Sequence, residues 1–528
     1  MDITRIDEAI SVTGQVLPKE VQALADAGFR TIICNRPDGE DPGQPDFASV
    51  AAAAQACGLE VRHIPVDDAH PIDMQKGDFA RAMHDLPGPV LAYCRTGNRS
   101  GKIYQASRSI AAQAGKERTM TTEKSHHQIV IAGGGSAGIA TAASLLAREP
   151  DLDIAIIEPR EVHYYQPGWT MVGGGVFPKE ATYRPEAVVM PDGVTWLKAE
   201  VTGFDPDNKA VLYGDGGKVT YDLLIVALGN RLAWEKIEGL EETLGKNGVT
   251  SNYRYDLAPY TWELVHHLDK GRAIFTQPPM PIKCAGAPQK AMYLSCSEWE
   301  HRGVLPDIEV EFHNQGAVLF GVADYVPALM QYVERYGANL NFGSNLVRID
   351  GPTRKAWFAT DQGEVEREFD MIHVVPPQEG NAVVAASPLA NEAGYAEVDQ
   401  HTLRHTRYPD VFALGDCSST PNAKTMAAAR KQAPVVAVNA LNVLEGKEPN
   451  VSYDGYGSCP LTVERGKIVL AEFGYGGKLL PSFPSWVIDG TKPSKAAWHL
   501  KANVLPSVYW HFMLKGREWL AKPLGMAI

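Results

Sequence analysis

The chain has 528 residues, 45% of them apolar and 21% charged, with a formal net charge of −13. This composition is globular and long enough for roughly three domains, and its acidic balance excludes a general nucleic-acid binder. Seven cysteines and no leading signal segment argue against a secreted disulfide scaffold, and no apolar run approaches the ~20 residues of a spanning helix.

Asp2–Ile10 reads as a short leading strand or turn region. Leu17–Ala27 has the spacing of an amphipathic helix and Phe29–Cys34 that of a buried strand. Asp46–Cys57, Glu60–Val66 and Asp78–Leu86 repeat helix, strand, helix, and Pro89–Tyr93 is the strand that delivers Cys94. Residues 1–115 are therefore expected to form a small α/β domain. Cys94-Arg95-Thr96-Gly97-Asn98-Arg99-Ser100 opens the next helix. A cysteine there faces backbone N–H groups, a helix N-terminus and two arginines, all of which favour thiolate. The alternative is a core cysteine in a turn, but two arginines beside it would be hard to bury. The layout resembles a tyrosine or dual-specificity phosphatase, with Asp67-Asp68-Ala69-His70 where such enzymes keep a general acid. The loop departs from that pattern: Arg99 follows Cys94 by five, and the phosphatase arginine position holds Ser100. C-R-x-G-x-R is instead similar to the sulfur-carrying loop of rhodanese-type sulfurtransferases. Cys94, with Arg99, is thus read as a persulfide carrier, with phosphatase chemistry as the second reading. Residues 116–127 are polar and aperiodic and read as a linker, with His126 and His127 expected in solvent.

The most informative stretch is Ile129–Glu158. An apolar strand leads into Gly133, Gly135 and Gly138, which have the G-x-G-x-x-G spacing, and an Ala-rich helix begins at Ser136-Ala137. The first glycine allows a tight turn, the second lets a pyrophosphate approach the backbone, and the third lets helix pack on strand. The helix N-terminus then faces the phosphates. Glu158 ends the next strand, 158 − 138 = 20 residues past Gly138, where an acid takes a ribose hydroxyl. Tyr221–Gly229 and Val411–Asp416 are further buried strands, ending at Gly229 and at an acid. A second nucleotide domain is expected from Arg272. Its first strand, Ala273–Thr276, is followed by Gln277-Pro-Pro-Met-Pro-Ile-Lys-Cys284, with no glycine fingerprint. Electrons are therefore expected to leave to something other than NAD(P).

Several segments carry a resemblance: Pro159–Trp169, Lys283-Cys284-Ala-Gly-Ala-Pro-Gln-Lys290, His373–Pro377, Gly415-Asp416-Cys417, Lys424-Thr425 and Tyr453–Pro460 with its Ser458-Cys459-Pro460 turn. Over residues 127–528 the chain resembles the sulfide:quinone oxidoreductases, in the branch that includes the mitochondrial enzymes. The resemblance implies FAD, held by Gly133, Gly135, Ser136, Ala137, Gly138, Glu158, Gln166, Val201, Gly229, Asp416 and Lys424. It implies that Cys284 and Cys459 are redox partners across the flavin, joined in the oxidised state directly or through an extra sulfur. Hydrosulfide would attack at Cys459, Cys284 would pass an electron pair to the flavin, and a membrane quinone would take the electrons. The sulfur would go to a small thiol, to sulfite or to Cys94. Cys296 is expected in the core. Cys417, although near the flavin acid, is left out of the chemistry.

Thr491–Ile528 holds Lys492, Lys495, Lys501, Lys515, Arg517 and Lys522 against Glu518 alone, with Trp498, Trp510 and Trp519 around the apolar stretch Val504–Leu514. Such a segment suits a headgroup interface; the alternative is a docked core helix or a dimer contact. The expected architecture is α/β throughout. A phosphatase-like domain (1–115) and a linker (116–127) precede a two-domain, disulfide-reductase-like Rossmann flavoprotein (128–490) and a membrane-contact tail (491–528). The expected location is peripheral, on the cytoplasmic side of the inner membrane, with room for a homo-oligomer. Two other readings stand beside this one: a type II NADH dehydrogenase, and a phosphatase tethered by an inactive flavoprotein.

Overall fold

The computed structural model describes residues 3–7, 9–67, 71–117 and 125–526. The chain divides into two compact units, Met1–Glu123 and Lys124–Ile528.

The first unit is built on a five-stranded sheet. Val90–Tyr93 lies between Ile10–Thr13 and Thr31–Cys34, all parallel; Glu60–His63 continues the sheet, and Ile3–Arg5 closes the other edge antiparallel. Neighbouring residues on a strand face opposite ways, and both faces here are apolar. Ile33, Val90 and Ala92 pack with Phe79 and Ile103 from the helices Ile72–Asp85 and Asn98–Glu117. Ile32, Leu91 and Tyr93 pack with Leu24, Val50 and Ala54 on the other side. This two-sided burial is why the central strands read as continuous apolar runs.

The second unit contains two nucleotide-binding-type sheets. In the first, His126–Ala132 lies parallel between Ile154–Ile157 and Gly217–Val226, and Val411–Ala413 pairs parallel with the latter. Ile129 and Ile131 face the helices Ser136–Leu146 and Met426–Leu444, while Val130 and Ala132 face the opposite core. The second sheet is parallel, in the order Val249–Thr250, Met371–His373, Gly271–Gln277, Ile308–Asn314, Asn339–Phe342. The helix Ala287–Arg302 packs on it and also meets the hairpin Gly457–Glu464/Lys467–Phe473.

Two expectations change. The expected linker ran to residue 127, yet the first strand begins at His126, pairing with Thr220 and Tyr221. His127 is buried rather than solvated, with Nδ1 2.8 Å from Asp153 Oδ1. Polar residues can open a buried strand when each finds a partner. The tail is not a separate segment either. Tyr509, Trp510, Met513 and Leu514 lie in the core of the first nucleotide fold, and Arg148 pairs with Glu518 at 2.5 Å. Trp519, Leu520, Leu524 and Met526 remain exposed. No helix among the described residues is long and apolar enough to cross a membrane.

Candidate active site

The strand Ile129–Ala132 ends at Gly133, which has φ +106°. A Cβ there would lie 2.7 Å from the Ala227 carbonyl oxygen, and one on Gly138 would lie 1.9 Å from the Gly133 oxygen. Both positions are sterically closed to a side chain. Gly135 differs: a Cβ on it would meet no protein atom within 4 Å. It faces a cavity of about 1030 Å³, lined also by Ser136, Ala137, Glu158, Gln166, Val201, Gly229, Cys284, Asp416 and Lys424. Gly138 does not line it; its role is the close helix–strand contact. The Glu158 carboxylate is fixed at the strand end by the N–H groups of Gly134 and Arg160, both at 2.9 Å.

Deeper in the cavity Asp416 lies between cations. Burial raises its carboxyl pKa, while Lys283 and Lys424 pull it back. Lys424 donates to the Ser418 carbonyl at 2.8 Å. Lys283, expected beside the Cys284 thiol, instead sends its ammonium to Gln166 Oε1 at 2.8 Å. Asn252 Oδ1 and Nδ2 and Trp169 Nε1 are buried without a protein partner, and both residues line the cavity. Orphaned buried polar atoms of this kind are the signature of a polar ligand site.

Cys284 sits at the far wall with φ +49°, a left-handed conformation that costs a non-glycine residue energy and is characteristic of functional turns. It is held there by its N–H on the Lys424 carbonyl (2.7 Å) and by its own carbonyl, which accepts from Ala287 N (2.7 Å) and Tyr253 Oη (3.3 Å). Its sulfur is 3.9 Å from Cys459 Sγ and 3.0 Å from Lys290 Nζ. The approach of Cys459 depends on Gly286, where a Cβ would lie 2.4 Å from Cys459 Sγ. The hydrogen bond from Cys459 and the charge of Lys290 hold the Cys284 thiol well below its usual range, against the effect of burial. That same hydrogen bond, with burial, pushes Cys459 up. The pair therefore has a built-in polarity, with thiolate on Cys284 and thiol on Cys459. Lys501 from the tail lines the same cavity; burial and repulsion from Lys290 bring its pKa down to about 7.

The remaining cysteines of this unit do not line the cavity. Cys296 is core, its thiol pushed up by burial. Cys417 points away from the cavity, to the carbonyls of Val226 (3.4 Å) and Leu414 (3.3 Å), and burial raises it to about 11. Sequence reasoning missed Lys290, Lys501, Asn252 and Tyr509, whose hydroxyl is 2.6 Å from Ser136 Oγ and 2.5 Å from His163 Nε2.

In the first unit, Cys94 is buried and Gly97 N donates to its sulfur at 3.2 Å. Burial raises the thiol pKa, but the N–H groups of Ser100, Thr96 and Arg99 outweigh it and leave the thiol below its usual value. Arg99 donates to both Glu40 oxygens, at 2.6 and 2.7 Å, and to the Val66 carbonyl at 2.8 Å. Arg95 pairs with Asp41 at 3.1 Å. Residues 68–70 of the expected general-acid segment lie outside the described residues.

Residues 127–263 match the family described as pyridine nucleotide-disulphide oxidoreductase. The mitochondrial sulfide:quinone oxidoreductase of Dictyostelium discoideum is 43% identical over 415 residues, 78% of this chain and 91% of that protein. The chain belongs to the sulfide:quinone oxidoreductase family. In fold, the chain superposes on the sulfide:quinone oxidoreductase of Aquifex aeolicus with a TM-score of 0.61 at 21% identity, over 74% of this chain and 91% of that one. It is an FAD-dependent flavoprotein, and the open face of Gly135, the fixed Glu158 and the orphaned Asn252 fit that cofactor. Its first unit has a separate affiliation. Residues 2–111 match the phosphatase-like domain of beta-lactamase hydrolase-like proteins. The Agrobacterium fabrum protein of that name is 36% identical over 104 residues, 20% of this chain and 24% of that one.

Proposed function

We propose that Cys284 and Cys459 oxidise hydrosulfide, that the electrons leave through FAD to quinone, and that the sulfur is handed to a thiol, to sulfite or to Cys94. One observation carries this reading: Cys284 lines the cofactor cavity, and its sulfur lies 3.9 Å from the buried Cys459 Sγ and 3.0 Å from the buried Lys290 Nζ. A disulfide needs about 2.05 Å, so a small approach closes the oxidised form. Hydrosulfide attacks Cys459 Sγ, the S–S bond breaks, and Cys284 departs as the thiolate that Lys290 stabilises. Cys459 then carries a persulfide. Bound FAD supplies a two-electron acceptor at this wall. Cys284 gives up its electron pair, an acceptor nucleophile takes the outer sulfur, and Cys459 closes the disulfide again. The net change is two electrons lost from sulfide and two gained by quinone.

Cofactor-holding roles follow position. Gly133, Gly135, Ser136 and Ala137 would cradle the pyrophosphate, with Gly138 closing the turn behind them. Glu158 would take the ribose and Val201 the adenine edge, and Gln166, Gly229, Asp416 and Lys424 would hold the flavin end. Peripheral membrane contact is supported by Trp486, 86% exposed, together with Val487, Trp519, Leu520 and Leu524, since exposed apolar and tryptophan side chains suit the headgroup boundary. For Cys94, the N–H nest favours a persulfide anion, with the Arg99 side chain alongside.

Cys284→Ala and Cys459→Ala should each abolish sulfide-dependent reduction of a short-chain quinone while FAD stays bound. Normal turnover by Cys459→Ala would reject the reading.

A further inference from the structure

The hairpin that carries Cys459 has a second face. Ser458 lies opposite Glu472 and Cys459 opposite Ala471. Because successive strand residues face opposite ways, Cys459 and Ala471 pack with the helix Ala287–Arg302 while Ser458 and Glu472 line the cavity. A polar cluster sits on this second face. Tyr456 Oη donates to Glu472 Oε1 at 2.5 Å and is 3.1 Å from Ser482 Oγ, and Ser482 N donates to Glu472 Oε2 at 3.1 Å. Tyr456 and Glu472 are both buried. The surrounding walls are apolar: Leu470, Phe483, Trp519 and Leu520 line the same cavity. The exposed Trp486 follows Phe483 by three residues. A buried polar end, apolar sides and an exposed aromatic nearby match a carbonyl-bearing ring with a hydrocarbon tail.

We propose that this cluster is the proton-delivering end of the quinone pocket, with Tyr456 donating to a quinone oxygen and Glu472 positioning and reloading it. The proposal rests on the sulfide:quinone reading above. Quinol formation takes two electrons and two protons. The reduced cofactor brings two electrons and one proton, so one more proton must come from the protein. Glu472 first takes a proton from water, so that its O–H donates to Tyr456 and the Tyr456 hydroxyl turns to the quinone oxygen. The O–H bond of Tyr456 breaks as the quinone oxygen gains its proton, and the proton on Glu472 passes to Tyr456 and restores the hydroxyl. The charged groups around the pair are Arg430, beside Tyr456 and Glu472, and Lys431 and Asp454. The Tyr325 hydroxyl holds the Glu472 backbone at 3.0 Å. Arg430 is placed to steady negative charge on Tyr456 during transfer.

The test separates the two half-reactions in FAD-loaded Glu472→Gln and Tyr456→Phe, near-isosteric changes checked by Tm. Anaerobic reduction of FAD by sulfide should stay within about twofold of wild type. Reoxidation by a soluble short-chain quinone should slow by about 10²-fold at saturating quinone, in kcat rather than KM, and Glu472→Asp should recover part of it. The pH dependence of reoxidation, but not of reduction, should change in Glu472→Gln. Wild-type reoxidation rates in both variants would overturn the proposal, and so would an equal slowing of both half-reactions, which would mark a purely structural cluster. Wild-type protein that is reduced by sulfide but not reoxidised by any quinone would overturn the quinone reading itself, and this assignment with it.

Discussion

At the scale of single residues, the account turns on the polarity between Cys284 and Cys459. Lys290 is the only lysine with a hydrogen bond to either sulfur among the described residues. Lys290→Met removes that charge, so the Cys284 thiol pKa should rise and less thiolate should form at neutral pH. Sulfide-driven flavin reduction should then fall by about tenfold for each unit by which the raised pKa exceeds the working pH. Once the sulfide is fully hydrosulfide, the rate of the variant should go on rising with pH while that of the wild type stays level. Rapid-mixing rates between pH 6 and 10 would check this; an unchanged rate at pH 7 would place the polarity elsewhere. Gly286→Ala should be as damaging without touching a charge, because its Cβ would sit 2.4 Å from Cys459 Sγ; FAD content should remain and turnover should drop. The cysteines themselves were legible in the sequence because the motifs around them are distinctive. Lys290 was not, because adjacency pointed to Lys283. The strained turn at Cys284 sends Lys283 to Gln166, and the following helix returns Lys290 to the sulfur. Side-chain direction after a left-handed residue is a three-dimensional fact that spacing does not carry.

At the scale of elements, the glycine loop divides into steric and functional positions. Gly135→Val adds a side chain where only cavity lies, so the protein should fold, with Tm near wild type, but purify without yellow colour. Gly138→Val should instead lose stability outright, since even a Cβ would lie 1.9 Å from the Gly133 oxygen. Full FAD occupancy in Gly135→Val would contradict the cradle. The strand–glycine–helix–strand order was readable because each part has its own period. The tail was ambiguous for a physical reason: basic residues and tryptophans around a short apolar stretch suit both a bilayer surface and a docked helix. Tyr509 and Trp510 went into the core, while Trp519, Leu520, Leu524 and Met526 stayed exposed. Deleting Val504–Ile528 should therefore destabilise the protein rather than merely release it. Val487→Ser with Leu524→Ser, both exposed, is the cleaner change. It should weaken sedimentation with anionic vesicles while leaving Tm and soluble-quinone turnover unchanged.

At the scale of the whole molecule, one chain joins a member of the sulfide:quinone oxidoreductase family to a unit whose Cys94 thiol is held below its usual range by backbone N–H groups. If Cys94 takes that sulfur, its peptide should gain the mass of one sulfur atom during turnover. Cys94→Ser should abolish this transfer while leaving quinone reduction with sulfite or thiol acceptors intact. An unmodified Cys94, with efficient hydrolysis of a phosphotyrosine substrate, would favour the phosphatase reading for that unit. The claim on which everything else depends is that sulfide delivers electrons to FAD through Cys284 and Cys459. Its most direct test is anaerobic titration of the purified FAD-loaded protein with sulfide while the flavin absorbance is followed. Sulfide should bleach the flavin of the wild type and leave that of Cys284→Ala and Cys459→Ala oxidised. A flavin that sulfide leaves oxidised while NADH bleaches it would contradict the account.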